Sequence, residues 1–92
     1  MPNAEPNAEP RQPQFTEAEL EELRKIRRLQ TMINMVMSVI SQDPGMTVEE
    51  ASELVAGAKR AALAMFPDKE FAYDILYKPR LQRLMNERFH LQ

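Results

Sequence analysis

The sequence has no cysteine, no tryptophan, two glycines and one histidine in 92 residues. Without cysteine there is neither a disulfide nor a thiolate metal site, so packing or an oligomeric partner must supply the stability. The glycines, Gly45 and Gly57, are too few and too scattered for a loop that cradles phosphate. The single histidine, His90, leaves Ser38, Ser41 and Ser52 without the base that a hydrolytic nucleophile needs. Glu87 and His90 have the spacing that sets two metal ligands on one helical face, but a di-iron bundle needs a second such pair and further inward glutamates. No catalytic residue, metal, cofactor or small-molecule substrate is therefore expected, and the chain reads as no enzyme.

Long apolar runs are missing too; none reaches the ~18 residues of a membrane span. The first residues are acidic and proline-rich rather than basic and then apolar, which is not the pattern of a signal peptide. A soluble, cytoplasmic protein is the expectation, and a cysteine-free chain fits a reducing compartment. Nor does one sign of charge dominate. The net charge is −2, whereas a nucleic-acid module usually carries a clear positive surplus.

The opening MPNAEPNAEPRQPQ repeats Pro-Asn-Ala-Glu at residues 2–5 and 6–9 and has no large apolar residue between Met1 and Phe15. Such a stretch buries too little to offset the entropy of ordering, so residues 1–14 are expected to be a disordered tail. Residues 15–92 then form one domain, which at roughly 75 residues has material for a single modest core.

That domain begins at FTEAEL, where Thr16 and Glu19 make a capping box and Phe15 and Leu20 are spaced as a hydrophobic staple. MTVEEA repeats the device with Thr47 and Glu50, so helices start near residues 17 and 48. Leu20, Leu23, Ile26, Leu29, Ile33, Val36 and Ile40 form one helical stripe. Glu17, Glu21, Lys25 and Arg28 mark a solvated face opposite it. Asp43-Pro44-Gly45-Met46 has the residues of a type II turn. The second helix, Val48 to about Phe66, sets Val48, Ala51, Leu54, Val55, Ala58, Ala62 and Met65 on one side, with small residues that permit close approach. Pro67 stops it, and Asp68 is the expected cap of a third segment with Phe71, Ile75, Leu76, Leu81, Leu84, Met85 and Phe89 inward. Pro79 either kinks that segment or separates two helices. We expect the break, because proline is favoured in a first turn. Strand signals are absent, and the fold class is all-α: a small bundle of three to four helices.

Two surfaces stand out. Tyr73, Tyr77, Lys78, Arg80, Arg83 and Arg88 would form an anion-binding patch for a protein partner or for nucleic acid, with Arg80 and Arg83 one turn apart. The plainer reading is a set of bases near a helix C-terminus, with Arg83 and Glu87 as a routine ion pair. Met32, Met35, Met37 and Val39 spread apolar surface round the other sides of the first helix, which suits an adaptable groove or a two-fold dimer unless the other helices wrap it. The function that follows is a small non-enzymatic helical protein–protein interaction or regulatory module, homodimeric if that face pairs. The alternative is a small nucleic-acid-binding regulator using the basic C-terminal segment.

Overall fold

A computed structural model describes residues 14–90. The expected tail lies outside these residues except for Gln14, which is exposed ahead of the first helix. Four helices follow in order: α1 (Glu17–Gln42), α2 (Val48–Met65), α3 (Glu70–Leu76) and α4 (Lys78–Phe89), with no strand among the described residues. The protein is an all-α bundle. Among the described residues, no helix is long and apolar enough to cross a membrane.

Both capping boxes form. The Thr16 amide donates to Glu19 Oε1 at 2.8 Å and the Glu19 amide to Thr16 Oγ1 at 3.1 Å. Thr47 and Glu50 repeat this at 2.9 and 3.1 Å. The turn after α1 is not type II, because Gly45 has no positive φ. Instead the Asp43 carboxylate accepts from the Gly45 amide at 3.0 Å, a side-chain bond that holds the turn without left-handed backbone.

α1 and α2 form an antiparallel hairpin, and α4 runs back beside both, parallel to α1. The short α3 packs on α2 and α4 and stays clear of α1. Leu29, Ile33, Ala58, Ala62, Tyr73 and Leu81 make one core cluster; Ile40, Ala51 and Met85 make a second towards the α1–α2 turn. Val36 and Val55 pack against both. Every fully buried residue of α2 is alanine, which lets α2 approach its neighbours closely. Ile33, Ile40 and Leu81 are the largest fully buried side chains, each stabilising the fold by about 1.5–3 kcal/mol.

Pro79 separates two helices. Tyr77 is the joint, accepting from the Leu81 amide at 3.1 Å and donating to the Tyr73 carbonyl at 2.9 Å. The break falls at Tyr77, so that Pro79 sits in the first turn of α4, where an amide has no helical acceptor. Asp68 does not cap α3. Phe66 accepts from the Lys69 amide at 3.1 Å, which places Pro67 and Asp68 in the middle of a turn and makes Lys69 the cap, without a side-chain bond.

The inward row of α3 also differs from the expectation. Tyr73 is 5% exposed, whereas Phe71, Ile75 and Leu76 are 79%, 55% and 58% exposed. A helix of seven residues has room for one inward row, and Tyr73 with Tyr77 one turn on takes it. Lys25 likewise leaves the solvated face assigned to it. It is half-buried, 5.7 Å from the centroid of the Phe66 ring, and reaches the Met65 carbonyl at 3.5 Å.

Candidate functional site

The six residues of the expected basic patch are divided among four places. Tyr73 belongs to the core, with its ring centroid 5.7 Å from that of Tyr77. Burial pushes its phenol above the ordinary value of 10.0, and the hydroxyl has no hydrogen-bond partner among the described residues. Arg88 turns inward to the end of α1, donating from Nε to the Ile40 carbonyl at 3.2 Å and from a terminal nitrogen to the Asp43 carbonyl at 2.8 Å. α1 has no basic residue in its own last turn, so Arg88 supplies the cation and the donors that this end lacks.

Lys78 lies on the α2 side of α4, where it lines a cleft with Ser52, Lys59 and Gln82. Arg80 lies on the α1 side, in a polar notch with Gln30, Asn34 and Tyr77. Arg83 follows one turn later, exposed. Among the described residues neither Arg80 nor Arg83 makes an ion pair, so the expected Arg83–Glu87 pair does not form. What remains of the patch is Arg80 and Arg83.

The methionine face divides as well. Met32 and Met37 pack against the core, whereas Met35 is 61% exposed and Val39, one turn on, is exposed beside it. Half of the face expected to need a partner is thus covered by the chain's own helices.

A further apolar exposure lies elsewhere. Because α3 stands clear of α1, a groove of about 520 Å³ opens between them. Ile26 and Leu29 form one wall, Ala72 and Leu76 the other, with Leu63 and Phe66 from the end of α2 also lining it. Glu22 and Gln30 on the α1 side and Lys69 on the α3 side supply the polar part of the lining. Leu23, next to the Ile26 wall on α1, is also exposed, as are Phe71 and Ile75 on α3. Lys59 fixes the α3 wall, its ammonium lying 3.0 Å from Glu70 Oε2 and 3.1 Å from Asp74 Oδ1. Hydrogen bonds to Glu70 first and to Asp74 second push its pKa above 10.5.

This groove was not anticipated from the sequence. Its signal was an excess: α3 carries more apolar residues than one inward row of two turns can bury. Chemistry is sparse by comparison. His90 has left-handed backbone at the end of α4, so it does not continue the helical face of Glu87. Ser41 donates to the Met37 carbonyl at 2.8 Å, and Ser38 and Ser52 are exposed on helix surfaces. Among the described residues no three histidine, aspartate or glutamate side chains gather as metal ligands would. Comparison with family models, with curated proteins and with solved structures finds no match.

Proposed function

We propose that this chain is a non-enzymatic helical interaction module that receives the apolar face of an amphipathic helix in the groove between α1 and α3. The observation that carries this reading is the pair of apolar walls, Ile26 with Leu29 and Ala72 with Leu76, held apart by a short helix pinned through Lys59. Helix-in-groove recognition uses anchors spaced i, i+3/i+4 against a trough of this kind. The cytoplasm is the proposed location, in keeping with the absence of cysteine.

The test is affinity capture from the native source with three baits: the wild type, Ile26→Asp and Leu76→Asp. A protein retained by the wild type and lost from both variants supports the groove. Equal recovery on all three baits ends the proposal.

A second reading is favoured by Arg80 and Arg83, which are exposed and, among the described residues, make no ion pair beside the polar notch of Gln30 and Asn34. In this reading the chain is a small nucleic-acid-binding regulator. Binding to a mixed DNA or RNA pool should then weaken steeply with salt and be lost when both arginines become alanine. Salt-insensitive binding, or none, removes it.

A further inference from the structure

The exposed stripe at the start of α1 is arranged so that it complements itself. Glu17, Glu19, Glu21 and Glu22 come first, and Arg24, Lys25, Arg27 and Arg28 follow. Leu20, Leu23 and Ile26 run between them at equal spacing, with Leu23 and Ile26 exposed. At 3.6 residues per turn, Glu19 and Arg27 lie about 40° to either side of Leu23, one turn before it and one turn after. From this symmetry we infer that the partner of this surface is a second copy of the same chain. Two α1 helices pack antiparallel about a two-fold axis that passes beside Leu23.

In that register Leu23 meets Leu23, Leu20 lies across from Ile26, and Glu19 comes level with Arg27 of the other chain. A parallel pair would instead set Glu19 on Glu19 and Arg27 on Arg27, and like charges repel. The capping box leaves Glu19 available. Its Oε1 accepts from the Thr16 amide, and Oε2 is the oxygen left to face the other chain's Arg27. Ile26 also belongs to the groove wall, so the second copy lies along the edge of the groove with Leu76 nearby. The inference rests on reading this apolar end as an interaction surface, and it names the partner.

The seam is short. A stable standard interface buries about 1,200–2,000 Å², more than a few turns of helix supply, so dissociation should fall in the micromolar range. Sedimentation or light scattering on the full chain should therefore show mass rising from one copy to two as concentration rises through that range. Leu23→Asp should stay monomeric with its helical circular dichroism unchanged, because Leu23 is exposed in the single chain. Glu19→Gln preserves the capping box and removes the charge; it and Arg27→Gln should each weaken the dimer several-fold.

The absence of cysteine allows a more specific test of register. Packed helix axes lie about 8–10 Å apart, which brings the two-fold-related Cα atoms of residue 23 within the ~4.4–6.8 Å that a disulfide spans. Leu23→Cys should form covalent dimers at least about tenfold faster than Met35→Cys, because pairing raises the local thiol concentration. Equal rates would overturn the register, and a wild type that stays monomeric at high micromolar concentration would overturn the dimer. Neither result touches the groove, whose own variant is Leu76→Asp. Loss of a captured protein from Leu76→Asp, with Leu23→Asp still binding it, would leave the groove reading standing without the dimer.

Discussion

Tyr73 carries a phenol into a core made otherwise of aliphatic side chains. The ring fills space between α3 and its neighbours, but its hydroxyl has no hydrogen-bond partner among the described residues. Tyr73→Phe should consequently shift stability by no more than ~1 kcal/mol, whereas Tyr73→Ala should cost about 3–5 kcal/mol through the cavity it leaves. Equilibrium unfolding in urea measures both. Burial raises the phenol above its ordinary 10.0, and hydrogen bonds to Glu70 and then Asp74 raise Lys59 above 10.5. In each case the folded state holds its proton more tightly than the unfolded chain does. The associated stability is complete below the unfolded values and is lost as pH rises through the folded ones. Melting temperature should therefore decline above about pH 10, and the decline should be shallower in Tyr73→Phe. At this scale the sequence misleads, because a tyrosine one turn before Tyr77 and Lys78 reads as part of their surface. Which row of α3 turns inward depends on where the helix starts, and the turn at Pro67 and Asp68 decides that.

At the scale of the elements, both long helices end without a basic residue in the last turn and take one from a neighbour. Lys25 of α1 serves the end of α2, and Arg88 of α4 serves the end of α1. Arg88→Ala should cost about 1–2 kcal/mol, the worth of charge-assisted bonds to carbonyls at a helix terminus. A change under a few tenths in a urea midpoint series would show that water replaces it. Pro79 occupies a first-turn place in α4, so Pro79→Ala should cost less than ~1 kcal/mol, chiefly by freeing the unfolded chain. A gain in stability would mean that the proline strains the joint at Tyr77. Helix starts were legible because a capping box is local, with its partners three residues apart. The borrowed cations were not, since Lys25 and Met65 are 40 positions apart and Arg88 and Ile40 are 48. Periodicity identified Leu81 and Met85 as core for the same local reason, one inward row on a helix long enough to show its period.

For the whole molecule, large apolar side chains concentrate where α1 and α3 stand apart. If these residues serve association rather than folding, the double variant Phe71→Ser, Ile75→Ser should keep the monomer's thermal midpoint within ~2 °C, as surface changes away from packed contacts do. A larger fall would make them part of the core. The sequence did announce unsatisfied apolar surface, but on the Met32, Met35, Met37 and Val39 face. Met32 and Met37 are covered by the fold, whereas α3 is too short and too displaced to cover Ile26 or to hide its own Leu76. Deciding between those surfaces requires the angle at which α3 leaves α2, and no residue pattern encodes it.

The bond from Arg88 to Asp43 also has a meaning in time. It joins positions 45 apart, and at a synthesis rate of ~5–20 residues per second the cap is made about 2–9 s after the helix end it closes. Leu81 and Met85 are not yet there to cover Ile33 and Ile40. The second half of α1, where Met32 and Met37 add to the apolar surface, is therefore the stretch that a chaperone on the ribosome would meet.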